Sequence, residues 1–143
     1  MKEEFSGVEK HLDKLSECLG RLEPLKERKL EDFLSNPDLR DIAERNLEVA
    51  AQCCVDIAGR VISLEQAEKP KDYYDAVIRI GEIGVLPMRF AERFAPIAGF
   101  RNILVHNYLE IDWKEVYGNL QKLSDVYEFM EYVKIWLRKR VGE

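Results

Sequence analysis

Apolar residues recur at alternating intervals of three and four from the start of the chain: Phe5, Val8, Leu12, Leu15, Leu19 and Leu22. That spacing belongs to an α-helix buried along one stripe; a strand would send these side chains to both of its faces. No β-branched run with strict alternation interrupts this pattern further along. The chain must therefore be built from one-sided helices, which are stable only when packed on one another.

Punctuation marks divide the helices. Pro24 ends or kinks the first, and a short segment around Leu30, Phe33 and Leu34 follows. Asn36-Pro37-Asp38 opens the longest helix: asparagine caps, proline suits the first helical position, and an acid favours the first turn. Leu39, Ile42, Ala43, Leu47, Ala50, Cys53, Cys54, Ile57, Val61 and Ile62 keep one of its faces apolar to about Leu64. After a loop with Pro70, a helix is predicted near 72–82, ended by Gly81 and Gly84. Pro87 and Pro96 bracket a short helix, and Pro96 starts another. Asp112-Trp113-Lys114-Glu115 has capping-box spacing and opens a last helix, with Val116, Leu120, Leu123, Tyr127, Met130, Val133 and Leu137 inward. The expected fold is all-α: an antiparallel bundle of four main helices with one or two short extra ones, in a single domain over residues 1–143.

Composition narrows the function classes. An apolar share of 46% fits a globular chain, and no apolar run approaches the roughly 18 residues that a membrane span needs. The charged start, Met1-Lys2-Glu3-Glu4-Phe5, is unlike a signal peptide, so a cytoplasmic protein is expected. Cys18, Cys53 and Cys54 are odd in number and lack metal-ligand spacing, which points to buried free thiols. A net charge of −5 argues against sequence-blind nucleic-acid binding by the whole surface, while leaving room for a local basic site. The densest cationic run, Lys134 to Arg140, reads as a solvated helix end. No phosphate-cradling glycine loop, nucleophile elbow or paired-histidine zinc motif is present, and no cofactor or metal is expected.

Chemistry concentrates in Arg101-Asn102-Ile103-Leu104-Val105-His106-Asn107-Tyr108. Arginine offers a planar fork for phosphate oxygens, and histidine exchanges protons near neutral pH. On a straight helix Arg101 and His106 point about 140° apart, whereas Asn102 stacks under His106 and Arg101 nearly aligns with Tyr108. Arg101 and His106 meet on one ligand if the helix bends, if both side chains reach around its edge, or if a two-fold dimer brings two copies of the motif to one groove. The plain alternative is structural: a satisfied histidine, an amphipathic tyrosine, and an arginine paired with a carboxylate such as Glu110. His11, between Lys10 and Asp13 on a surface stripe, is read as inert.

The Arg-x4-His-x-Tyr pattern, within Ala98 to Tyr108, resembles the signature of HepT-like toxins of the HEPN superfamily. Ala43-Glu44-Arg45-Asn46-Leu47, with Gln52 and Asp56-Ile57-Ala58, is similar to that family's long second helix. The resemblance implies a HEPN-like helical fold and a metal-independent endoribonuclease in a toxin–antitoxin pair. It implies Arg101 and His106 as the catalytic pair, with Asn102 in support, and a homodimer with the motifs near its interface. It implies RNA as substrate and a minimal nucleotidyltransferase of the MntA type as antitoxin, silencing the toxin by adding AMP to Tyr108. Two rival readings remain: a non-catalytic module that docks a nucleotidyltransferase or a nucleotide, and a helical scaffold with no active site.

Overall fold

The computed structural model describes residues 3–142; Met1 and Lys2 of the charged N-terminus, and Glu143, lie outside them. The first apolar stripe becomes α1 (Ser6–Lys26), with Val8, Leu12, Leu15, Leu19, Leu22 and Leu25 buried and Phe5 fully buried just before it. Pro24 is accommodated inside the last turn. The donor it lacks would have met the carbonyl of Gly20, a residue on the exposed side where water can serve. The short segment forms α2 (Leu30–Ser35).

Asn36 caps α3 (Pro37–Leu64) as its type predicts: its side-chain oxygen accepts from the amides of Asp38 and Leu39 at 3.0 and 3.3 Å. This helix is the centre of the fold. Burial extends beyond the expected stripe to Ala51, Val55 and Ala58, while Ile42, read as inward, is 43% exposed. The bundle wraps α3 on more than one side, so a single-stripe reading underestimates its core face.

Asp72 caps α4 (Tyr73–Glu82) through the amide of Asp75 at 2.8 Å. Gly84 takes φ +88° beyond it, the left-handed conformation that favours glycine. Gly81 does not end the helix. It is buried inside α4, and a Cβ there would stand 2.6 Å from the Cβ of Ala91 on α5 (Met88–Phe94). Its role is close helix approach.

Pro96 precedes α6 (Ile97–His106). Asp112 caps α7 (Trp113–Leu120) through the amides of Lys114 and Glu115 at 3.0 and 3.4 Å. The expected single last helix is broken in two: α7 ends at Leu120 and α8 (Leu123–Gly142) begins after Gln121-Lys122. Gly118 and Asn119 are weak helix formers, and three-residue hydrogen bonds from Gln121 to Gly118 and from Lys122 to Asn119 tighten the chain there. The offset leaves Tyr127 41% exposed, although it was read as inward, while Leu120 and Leu123 stay buried.

Among the described residues there are eight α-helices, two 3-10 turns and no strand, so the all-α bundle stands with its minor helices more numerous. No helix of theirs is long and apolar enough to cross a membrane. The three cysteines are free and buried; burial pushes the Cys53 thiol up to about 11 and Cys54 well above the usual range. In the basic tail, Arg140 binds Glu65, which also accepts from Trp136 Nε1 at 2.6 Å, tying α8 to the end of α3. Lys134 pairs with Glu131.

Candidate functional site

The motif helix α6 packs its buried Ala98 and Leu104 against the bundle and ends at His106. Asn107, at φ −117° and ψ 35°, leaves helical geometry while its amide still bonds the carbonyl of Ile103 at 2.9 Å. Tyr108–Glu110 then forms a 3-10 turn. Tyr108 therefore lies off the helix axis, and its expected alignment with Arg101 is lost. Asparagine disfavours the helix interior, and Asp112 caps α7 soon after. The turn projects outward: Tyr108 is 62% and Leu109 87% exposed.

Arg101 is half-buried and held on three sides. Its Nε donates to Gln52 Oε1 at 2.6 Å, its Nη1 donates to Asn102 Oδ1 at 3.0 Å, and its Cζ lies 5.2 Å from the centre of the Tyr73 ring. All three partners are neutral. The guanidinium is fixed in position and, among the described residues, no carboxylate pairs with it, unlike Arg79, which pairs with Glu68, Asp75 and Glu82. The alternative pairing with Glu110 does not occur. Asn102 bonds Arg101 and not His106.

Behind Arg101 the contacts continue. Gln52 Nε2 donates to Asp56 Oδ1 at 2.8 Å, and Asp56 Oδ2 lies 3.6 Å from His11 Nε2. His11 Nδ1 donates to the Gly7 carbonyl at 2.7 Å. The placing of His11 on a surface stripe is thus corrected: it is half-buried and stands in the network behind the motif arginine. Its sequence neighbours are polar, and the partner that recruits it comes from a different helix. Gln52 and Asp56 are four apart on α3, a spacing that places them side by side on its polar face. That spacing, and the likeness of this stretch to the family's long second helix, are their signals in the sequence; nothing local ties them to Arg101.

A concavity of about 420 Å³ opens here between α1, α3 and α6, lined by Lys10, Lys14, Arg45, Gln52 and Arg101 among others. Val105 forms part of its wall, and His106 follows it, exposed at the helix end. Among the described residues no hydrogen bond or ion pair joins Arg101 to His106, in keeping with their divergent directions on one helix. Nor do the described residues hold a group of three or more His, Cys, Asp or Glu side chains placed to share a metal. The site offers a preset cation suited to a phosphate, an exposed imidazole for proton transfer, and a reachable phenol.

Known proteins resemble this chain in sequence and in fold. A family model described as ribonuclease HepT-like matches residues 10–133. A tRNA nuclease HepT of Aphanizomenon flos-aquae is 31% identical over 110 residues, covering 77% of this chain and 75% of that protein. An mRNA nuclease HepT of Shewanella oneidensis is 26% identical over 103 residues, covering 71% and 77%. Among solved structures, the tri-AMPylated Shewanella oneidensis HEPN toxin in complex with MNT antitoxin superposes with a TM-score of 0.82 at 21% identity, covering 94% of this chain and 99% of that one. At that identity the likeness speaks for the fold. The family model spans most of the sequence, and this chain belongs to the ribonuclease HepT-like family.

Proposed function

We propose that this chain is the toxin of a toxin–antitoxin pair and cleaves RNA with Arg101 and His106, without a catalytic metal. The observation that carries the reading is the state of Arg101: clamped by neutral amides at the edge of a cationic concavity, its charge is kept for an incoming phosphate. Such a preset charge needs no rearrangement when negative charge develops in the transition state.

In the reaction, the ribose 2′-oxygen attacks phosphorus and the bond to the 5′-oxygen breaks, giving a cyclic phosphate and a 5′-hydroxyl. His106 takes the 2′-hydroxyl proton or delivers one to the leaving oxygen, help typically worth about 10²–10⁴-fold. Arg101 neutralises the charge on the phosphorane-like transition state, and Asn102 fixes the guanidinium plane through Nη1. Because Arg101 and His106 diverge on one helix, we assign the working site to a homodimer in which two motifs face one groove. An apolar groove of about 730 Å³ beside α6, lined by Ile97, Phe100, Ile103, Leu123 and Val126 among others, supports a partner protomer there.

The partner we propose is a minimal nucleotidyltransferase antitoxin that adds AMP to Tyr108. The exposure of the Tyr108 ring on a protruding turn supports this, as does the tri-AMPylated state of the Shewanella toxin bound to its antitoxin. Each added phosphate brings negative charge beside His106, and with bulk this closes the site to RNA.

The test is cleavage of labelled RNAs, transfer RNA included, in chelator, with wild type, His106→Ala and Arg101→Ala side by side. Cleavage by wild type alone, with both variants folded by circular dichroism, supports the assignment. Equal cleavage by the His106 variant overturns it. RNA left intact by wild type favours a module that only docks the nucleotidyltransferase.

A further inference from the structure

We infer that the surface running from Arg101 along α3 to the loop before α4 is a binding track for the phosphate backbone of single-stranded RNA. This rests on the ribonuclease reading and extends it from the cutting site to the path of the substrate.

The floor of the track is one face of α3. Arg45, Gln52, Asp56, Arg60 and Ser63 follow one another at helical spacings of three, four or seven, so they share that face. Two concavities open on it: the one of about 420 Å³ at Arg101, and a second of about 590 Å³ toward Pro70. His11 and Asp56 line both, so the two join into one trough. From Arg45 to Ser63 the floor runs on the order of 27 Å at the rise of an α-helix, room for several nucleotides.

Charge along the trough opposes that of the whole chain. Seven Lys and Arg side chains line it against three carboxylates, Glu48, Asp56 and Asp72, in a protein whose net charge is −5. Some cations elsewhere are consumed internally: Arg79 meets three carboxylates and Arg93 meets Asp125 and Glu128. In the trough only Lys14 and Arg45 have ion-pair partners, Glu17 and Glu48. Among the described residues Lys10, Arg60, Lys69, Lys71 and Arg101 have none. The carboxylate at the junction is itself occupied: Asp56 accepts from Gln52 and faces His11.

Aromatic surface lies beside these cations. Tyr73 lines the trough, is 38% exposed and carries the Arg101 guanidinium over its ring. Cations tracking a groove, with aromatic surface alongside, are the usual means of holding a single strand without reading its sequence. A protein partner would want an apolar centre within a polar rim, and the apolar groove beside α6 is the surface that has one.

The test uses Lys69→Gln with Lys71→Gln, two exposed cations outside the cutting site and outside every ion pair. Cleavage and filter binding of a long single-stranded RNA are measured across a salt series, with a shorter RNA for comparison. The expected result is a raised KM with kcat retained, a log–log salt slope shallower by about 1.4, and an effect that shrinks as the RNA shortens. Lys69→Arg with Lys71→Arg restores binding. Removing two charges from the α8 tail, Lys134→Gln with Lys139→Gln, leaves KM and slope as in wild type.

Unchanged RNA affinity and slope in the Gln pair, with wild-type cleavage intact, overturn the track and leave the ribonuclease reading standing. If the Gln pair instead weakens self-association or the nucleotidyltransferase complex while RNA binding holds, the surface is a protein interface and the track is wrong. If wild type neither binds nor cuts any RNA, track and ribonuclease reading fail together.

Discussion

Replacing Gln52 by glutamate separates the position of Arg101 from its charge. Gln52 makes two bonds, accepting from Arg101 Nε at 2.6 Å and donating to Asp56 Oδ1 at 2.8 Å. The new carboxylate keeps the first as an ion pair, which at a half-exposed site contributes at most about 1 kcal/mol. It loses the second, a bond to a charged acceptor worth roughly 1.5–3 kcal/mol, and sets two carboxylates four apart on one helix. The net destabilisation is about 1 kcal/mol, or roughly 2–5 °C in melting temperature for a domain of this size.

The effect on cleavage is expected to be far larger. Cancelling a preset charge at a transition state costs about 10²–10³-fold, so kcat/KM should fall roughly a hundredfold, about 2.7 kcal/mol. Gln52→Ala is the companion: it frees the guanidinium to wander but leaves its charge available, and is expected to cost about tenfold, 1.4 kcal/mol. Its melting point should fall at least as far, since both bonds go. Steady-state cleavage of one labelled RNA and thermal melts on the same preparations decide the matter. If Gln52→Ala loses more activity than Gln52→Glu, position and not free charge is what α3 supplies to Arg101, and the reasoning from its neutral partners is refuted.

Three further outcomes follow from the geometry. Tyr108→Phe should keep cleavage within about twofold, 0.4 kcal/mol, yet resist silencing by the nucleotidyltransferase with ATP; mass spectrometry would show no AMP added, and persistent AMPylation at another residue would discard Tyr108 as the acceptor. Gly81→Ala should destabilise the fold by about 1–3 kcal/mol in urea titration, because the added methyl meets Ala91 at 2.6 Å, and an unchanged midpoint would mean that α4 and α5 part freely. The buried thiols contribute to a loss of stability at alkaline pH. Since burial raises Cys53 to about 11, the unfolded chain loses thiol protons first, and stability should decline as pH rises from about 8.5 toward 11; replacing Cys53 by Ala should flatten that decline.

What was legible in the sequence, and what was not, divides by the reach of the interaction. Asn36 and Asp112 act on amides two and three residues away, so their caps follow from residue type and position. The buried stripe of α1 follows from spacing within one helix. The break at Gln121-Lys122 was missed because apolar spacing carries across it: Leu120 and Leu123 are three apart whether or not the helix continues. Residue type likewise pointed to Arg101 and His106 as able to handle a phosphate and a proton. It could not distinguish Arg101 from Arg79, both arginines on helices with acids in sequence reach. The difference is that α3 presents an amide to one, while the loop before α4 and α4 itself present carboxylates to the other. A charge available for chemistry is defined by the partners it lacks, and those are settled by packing between helices distant in the chain. The same holds for the placement of His11, which depends on an aspartate of α3 that no neighbouring residue announces. Sequence supplies the reactive groups, and tertiary structure decides which of them are left unspent.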